Sequence, residues 1–346
     1  MDLAHKTRLT TSVVVPVYNA GESLIRLLDA LAMQSRIPDE IVVVDDGSTD
    51  CSGDIARQWH HRHPEILLQV IQQANQGPAA ARNRGTHQAT GDLVVFIDSD
   101  CIPLSDWLEK MAAPFADPEV VGVQGAYRCN QPEWIAQFSQ LEIEERYTRM
   151  LRSPSIDFIG TYAAAYRRQI FFEKGGFDTR FPMASGEDAE FSFRLADHGL
   201  RMVFAPEAFV YHSHPDTLKR YLRQKYWRAY WRNLIYRQHF SRMWKDSYTP
   251  NTLKIQTLLG MLFFPSLAAI PLASWGWMVP VGILAAIFAL TLPFTFWVAK
   301  QSRTIALGSP LILFLRSFVL AIGAAHGFFM GLWVRKEYDG VQTPQA

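Results

Sequence analysis

Residues 91–100 read GDLVVFIDSD, an apolar run that ends in two aspartates, Asp98 and Asp100, separated by one serine. The run from Leu93 to Ile97 consists of aliphatic and aromatic residues, which predicts a buried strand. Ligands of open α/β folds collect at the carboxyl ends of strands, and carboxylate oxygens are what hard divalent cations prefer. We therefore expect an α/β fold with a site for a cation and its phosphate ligand where this strand ends.

Upstream of this stretch, three further apolar runs alternate with helical patterns. The runs are SVVVPVY at 12–18, EIVVV at 40–44 and LLQVI at 67–71, with leucines at helical spacing between the first two. Alternation of this kind predicts a mostly parallel sheet covered by helices on both faces. The loops that follow the strands should converge on one crevice, although ordinary turn chemistry is the alternative for any single loop.

Downstream, from Trp107 to about Tyr211, the pattern is less regular and includes the acidic string GEDAEFSFRLADHG at 186–199. Its apolar spacing does not separate strand from helix. Glu187 and Asp188 at its start are typical of a helix N-terminus, where acids are favoured, and this reading competes with a catalytic one.

A basic and aromatic segment follows over residues 216–250. Its cations are interleaved with tyrosines and tryptophans, and no acid lies between Asp216 and Asp246. A basic aromatic helix just before an apolar stretch predicts an interfacial helix on anionic lipid headgroups. Such segments can also bind nucleic acid, but the adjoining apolar stretch and the net charge of +1 favour lipid.

The chain then becomes strongly apolar over residues 251–346. No Asp, Glu, Lys or Arg occurs between Lys254 and Lys300, about 45 residues, which is enough for two membrane crossings of roughly 20 residues each. The first two predicted spans are Leu258–Ser274 and Trp277–Val298. A third apolar segment, Leu311–Val334, favours three spans, while two spans plus a re-entrant or surface helix remain open because a third would place Arg335 and Lys336 outside.

The cysteines and the opening residues indicate the cellular compartment. Cys51, Cys101 and Cys129 show no CxxC spacing, so neither a zinc site nor a disulfide framework is indicated. The opening residues MDLAHKTRLTTS have no apolar core and do not predict a signal peptide. We expect a cytoplasmic soluble part at the inner membrane.

Over about residues 11–215 the chain resembles the family 2 glycosyltransferases of the GT-A fold, here with C-terminal membrane helices. The resemblance rests on seven elements in order: VVVPVYNAGESL, IVVVDDGSTD, NQGPAAARNRG, GDLVVFIDSD, GGFD, GEDAEF and VYHSHP. It implies a GT-A catalytic domain over residues 1–215 and an inverting enzyme that uses a nucleotide-sugar donor linked to UDP, GDP or dTDP.

The resemblance also implies roles for individual residues. Those near the nucleotide sugar would be Pro16, Tyr18, Glu22, Asp45, Asn75, Gly77, Arg82, Asp98 and Ser99. Asp98 and Asp100 match a DXD motif that holds Mg²⁺ or Mn²⁺, and His212 would complete that metal shell or else be a strand-end histidine bonded to backbone. Asp188, beside Glu187, matches the general base that takes a proton from the acceptor hydroxyl.

Departures from the family pattern narrow the expected reaction. Residues 224–228 read QKYWR, whereas processive polymerases of the superfamily carry QxxRW, and the apolar helices are too few for a polymer channel. We expect transfer of a single sugar to a lipid, lipid-linked or membrane-proximal glycan acceptor, without nucleic acid. The alternatives are a catalytically inactive membrane scaffold of the same fold and, less favoured by NAGESL after the first strand, a nucleotidyltransferase.

Overall fold

The computed structural model describes residues 8–181, 186–240, 242–245 and 247–338. The chain divides into two compact units, the first formed by Met1–Asn130 and Tyr147–Ser213 and the second by Gln131–Arg146 and His214–Ala346. The predictions made for the first seven residues and for the last eight lie outside the described residues.

The first unit alternates strands and helices. Its elements are Thr11–Val17 (β1), Gly21–Ala32 (α1), Glu40–Asp45 (β2), Ser52–Arg62 (α2), Leu68–Gln72 (β3), Pro78–Gln88 (α3), Leu93–Ile97 (β4), Ile102–Pro103 (β5), Trp107–Ala112 (α4), Val120–Arg128 (β6), Ala163–Arg167 (β7), Arg168–Glu173 (α6), Glu187–Asp197 (α7) and Arg201–Tyr211 (β8). A long helix, Trp134–Met150 (α5), is shared between the two units. The acidic string that periodicity could not assign is therefore a helix.

The eight strands found in the described residues form one mixed sheet in the order β3-β2-β1-β4-β7-β6-β8-β5. Strands β1 to β4 pair in parallel, as do β6 and β8, whereas β7 runs antiparallel between β4 and β6, and β5 runs antiparallel to β8. The four strands predicted from apolar runs are thus the parallel half of the sheet. The α/β fold class is confirmed.

Helices cover both faces of this sheet because alternate side chains of a strand point to opposite sides. On one face, Val13 and Val15 are buried with Leu24 and Leu28 of α1. On the other face, a methyl group added at Gly85 of α3 would collide with Val14, so this helix lies close against the sheet. Each fully buried leucine or valine contributes about 1.5–3 kcal/mol relative to an exposed one, and strands β1, β2 and β4 are buried on both faces.

The second unit is helical. Besides the first part of α5 it contains Leu218–Gln238 (α8), Arg242–Lys245 (α9), Asn251–Ser266 (α10), Met278–Ala289 (α11), Leu292–Ala299 (α12) and Arg303–Tyr338 (α13). Three described stretches are long and apolar enough to cross a membrane: Asn251–Ala269, Met278–Ala299 and Arg303–Met330. The predicted third segment continues to Val334, beyond the side chains that are described.

A buried ionic cluster lies inside this helical unit. Glu142 of α5 accepts hydrogen bonds from Lys225 Nζ at 2.7 Å and Tyr221 Oη at 2.9 Å, both on α8, and from the guanidinium of Arg316 on α13. Burial would raise the pKa of the Glu142 carboxyl, but Lys225, Arg316 and Arg146 outweigh burial and hold that pKa well below its usual range. One carboxylate is thus surrounded by cations from helices far apart in sequence.

Candidate active site

The end of β4 delivers the two aspartates to the carboxyl edge of the sheet. After Ile97 the chain turns tightly, since Cys101 N donates to Asp98 O at 3.0 Å, and β5 then pairs with β8. Because β8 ends at Tyr211, His212 comes to the same edge, and its Nε2 lies 3.6 Å from Asp100 Oδ2. Two of the three predicted metal ligands are therefore neighbours.

The donor atoms at this edge suit a hard cation. Potential ligand atoms of Asp100, Cys101 and His212 lie within 4.8 Å of one another. Burial, followed by the charges of Asp98 and Asp100, raises the pKa of the Cys101 thiol well above its usual value, so sulfur stays protonated and is a poor ligand. Carboxylate oxygens and one imidazole remain, a set that fits Mg²⁺ or Mn²⁺.

Arg82 of α3 links this edge to the acidic helix α7. Its guanidinium is buried, and it donates to Asp98 Oδ1 at 2.7 Å and to Glu187 Oε1 at 2.9 Å. Burial would lower the pKa of Arg82, but the two carboxylates raise it, so the guanidinium stays charged. The family pattern implied a place for Arg82 along the nucleotide phosphates, whereas its described contacts are these carboxylates. This bridge was not predicted from the sequence. The alanines around Arg82 were the available signal, because they indicate a helix face that is buried against the protein.

Glu187 and Asp188 occupy the first turn of α7, directly after Gly186, whose φ of 141° favours glycine. Asp188 is half-buried, and its Oδ1 accepts a hydrogen bond from Ala189 N at 2.7 Å. Burial and the Asp188 charge raise the pKa of Tyr166 on β7, which keeps that phenol protonated beside the acid. Tyr166 was not predicted as a site residue, because a tyrosine inside AAAYR reads as core.

The residues predicted around a nucleotide lie at the same edge, at the ends of β1 and β2. Register pairs Pro16 with Val44 and Val17 with Asp45, so half-buried Pro16, exposed Tyr18 and buried Asp45 lie at the carboxyl ends of two neighbouring strands. Glu22 is exposed in the first turn of α1, which starts from this edge. Ser99 lies between the two aspartates of the DSD turn.

The loop that carries Asn75 and Gly77 is held by Asp46. One carboxylate oxygen of Asp46 accepts from Gln73 Nε2 at 2.7 Å and Gln76 N at 2.9 Å, and the other accepts from Gly77 N at 2.8 Å. Asn75 is exposed, and Gly77 has a φ of 87° that other residues rarely adopt. The sequence analysis predicted Asp45 as a site residue but not the adjacent Asp46, whose hydrogen bonds hold this loop.

Two family profiles match the chain, one described as glycosyl transferase family 2 over residues 12–173 and one as glycosyl transferase family group 2 over residues 93–298. The second covers more than half of the chain. The chain therefore belongs to the family 2 glycosyltransferases. Among curated relatives, the pre-mycofactocin glycosyltransferase of Mycobacterium tuberculosis is 32% identical over 62% of this chain, and glycosyltransferase AglE of Haloferax volcanii is 28% identical over 58%. The matched regions span 45% and 66% of those relatives' own lengths.

A solved structure with a similar fold is that of the mannosyltransferase PcManGT from Pyrobaculum calidifontis, in complex with GDP-Man and Mn²⁺. It superposes with a TM-score of 0.61 at 24% identity and covers 95% of this chain and 88% of its own. The likeness thus confirms the predicted GT-A fold for this family 2 homologue.

Proposed function

We propose that this family 2 glycosyltransferase transfers a single sugar, with inversion, from a nucleotide-sugar donor to a lipid, lipid-linked or other membrane-proximal acceptor. The observation that carries the proposal is the Arg82 bridge, because it joins Asp98 of the DSD turn to Glu187, the neighbour of Asp188 on α7. Cation ligands and a candidate base thereby share one edge of the sheet. The mannosyltransferase of similar fold, which binds GDP-Man and Mn²⁺, supports a donor and a divalent cation of this kind.

The roles follow from charge and position. Asp98, Asp100 and His212 would hold Mg²⁺ or Mn²⁺, which when bound stabilises the charge of a departing diphosphate as a Lewis acid. Asp188 would accept the proton of the acceptor hydroxyl, and Glu187 would keep its place through Arg82. Pro16, Tyr18, Glu22, Asp45, Asn75, Gly77, Arg82 and Ser99 remain predicted donor-site residues.

The apolar helices support the membrane part of the proposal. Two of them, α10 and the α11–α12 pair, expose large apolar side chains such as Leu258, Leu262 and Phe288. Such a surface is typical of lipid contact. We propose that it anchors the enzyme at the inner membrane with the catalytic unit on the cytoplasmic side, which brings membrane-bound acceptors within reach.

The experiment is an activity screen of the purified full chain in detergent. A panel of UDP-, GDP- and dTDP-sugars is offered with a bacterial lipid extract, with Mn²⁺, with Mg²⁺ and with EDTA. Transfer that EDTA abolishes and that an Asp100→Asn variant lacks supports the proposal. Calorimetric binding of a nucleotide sugar without transfer to any acceptor would instead identify an inactive scaffold.

A further inference from the structure

The third apolar helix, α13, differs from the other two in its surroundings. Half of its apolar stretch is buried, against 11% and 17% for the stretches in α10 and in α11–α12. Five of its exposed large apolar side chains form a stripe at helical spacing, namely Leu307, Leu311, Leu315, Ile322 and Phe329, and Phe328 and Met330 are exposed on either side of its far end. Over its described side chains one side of α13 is therefore covered by protein, in part by α10 and α12, and the stripe on another side is bare and apolar.

The covered face begins against α5, a helix rich in polar residues. Trp134 Nε1 of α5 donates to Thr304 O at 3.3 Å, and a methyl group added at Gly308 would collide with the Trp134 ring. Further along, Glu142 of α5 receives the guanidinium of Arg316. The helix α5 thus contacts α13 at two places, through Trp134 near Thr304 and through Glu142 at Arg316.

The covered face continues against α8, the basic helix. Methyl groups added at Gly323 and Gly327 would collide with the backbone carbonyls of Tyr226 and Tyr230. These pairs are four residues apart on both helices, so α8 and α13 run nearly parallel in close contact. Asn233 of α8 also donates to the Ala324 carbonyl, and Tyr226 Oη bonds the His326 ring.

These neighbours decide where α13 can lie. If Thr304 to Gly327 crossed the hydrocarbon, then Lys219, Arg220, Arg223 and Arg228, which are exposed on α8, would enter it beside them. Charged side chains exposed to hydrocarbon are strongly disfavoured. Beyond Gly327 the helix has 11 residues to Tyr338, about 16 Å at 1.5 Å per residue, and the hydrocarbon is about 30 Å thick.

We propose that α13 lies in the plane of the membrane surface beside α8 and does not cross the bilayer. The leucine, isoleucine and phenylalanine stripe enters the acyl boundary, and the exposed cations of α8 meet anionic headgroups. Arg316 points to Glu142 and so stays paired within the protein. The carboxyl end then remains on the side where Lys300 and Arg303 lie, which places Arg335 and Lys336 as the positive-inside rule asks.

The first test is the side of the two chain ends. The full chain carries one epitope tag at each end and is expressed in a bacterial host, and sealed inside-out vesicles are treated with protease. Removal of both tags without detergent supports the proposal. Protection of the C-terminal tag, lifted only by detergent, would mean that α13 crosses and would overturn it.

The second test measures depth along the stripe. Leu307→Cys, Leu315→Cys and Ile322→Cys, in a background with Cys51→Ser and Cys129→Ser, receive a bimane label and are quenched by nitroxide lipids of known depth. An in-plane helix gives three similar depths. A crossing helix spreads Leu307 and Ile322 over about 22 Å, since 15 residues separate them. The matched pair Val281→Cys and Phe288→Cys on α11, both exposed, calibrates a graded response.

Discussion

Each of the two units contains a cluster of acids and cations around a buried side chain. Acids outnumber cations in the first cluster, and cations outnumber acids in the second. In the first unit one arginine, Arg82, meets Asp98 and Glu187, with Asp100 and Asp188 close by along the chain. In the second unit one acid, Glu142, meets Lys225 and Arg316, with Arg146 near enough to influence its pKa. The first cluster has acids in excess, and the second has an acid fully surrounded by cations.

This difference in charge distinguishes a candidate active site from a cluster that only stabilises the fold. Surplus carboxylates at an exposed edge have capacity for a cation and for a proton, which is what group transfer needs. A saturated, buried carboxylate has no capacity left, and it joins helices α5, α8 and α13. The comparison predicts that substitutions in the first cluster change activity and that substitutions in the second change stability.

The largest expected effect is on activity. Asp188→Asn should lower the rate of sugar transfer by about 100- to 10,000-fold because the amide cannot accept the acceptor proton. Thermal unfolding of the variant should stay close to that of the parent. Glu190→Gln, on the same helix and bonded to Arg194, is the control and should keep its specific activity. A small effect with a lipid-phosphate acceptor, which is already ionised, would identify that acceptor class.

The next effect is on stability. Glu142→Gln should lower the free energy of unfolding by about 3–5 kcal/mol, since it leaves Lys225 and Arg316 as buried charges without their carboxylate. The measurement is thermal unfolding in detergent, with Glu144→Gln on the same helix as a control of about 0.5 kcal/mol. If Glu142→Gln abolishes sugar transfer while thermal unfolding is unchanged, the structural role assigned to the Glu142 cluster is wrong.

A smaller effect should appear in acid. The pKa of Glu142 is lower in the folded chain than its usual 4.5, so the folded state binds fewer protons and loses stability as pH falls below that value. Glu142→Gln should reduce the slope of unfolding free energy against pH below 4.5 by up to about 1.4 kcal/mol per pH unit. Parallel slopes for the parent and the variant between pH 5 and 3 would contradict the assigned pairing.

The smallest effect concerns the loop that Asp46 holds. Asp46→Asn should raise the KM for the nucleotide sugar by about 3- to 10-fold and leave kcat nearly unchanged, because the charged acceptor of three hydrogen bonds is lost. Asp92→Asn, which removes a carboxylate bonded to Thr10 at the opposite edge, is the control. A fall in kcat with unchanged KM would place Asp46 in the chemistry itself.

The sequence predicted the parts of the site that follow from strand polarity. Apolar runs located β1 to β4, and parallel strands bring their carboxyl ends to one edge, so Asp45 and Asp98 could be grouped without coordinates. Partners across long separations could not be predicted in this way. Nothing in the spacing indicates that Arg82 reaches Glu187 or that Glu142 reaches Arg316. Hydropathy describes a helix alone and does not predict the close contacts that α13 makes with α8.

The enclosed position of Arg82 has a consequence for the catalytic cycle. Carboxylates that held a metal would repel one another in its absence, and a site held together only by such an ion would lose its shape. Here a permanent guanidinium stays behind between Asp98 and Glu187. Its contacts would hold Asp98 and Glu187 together whether or not a metal is bound.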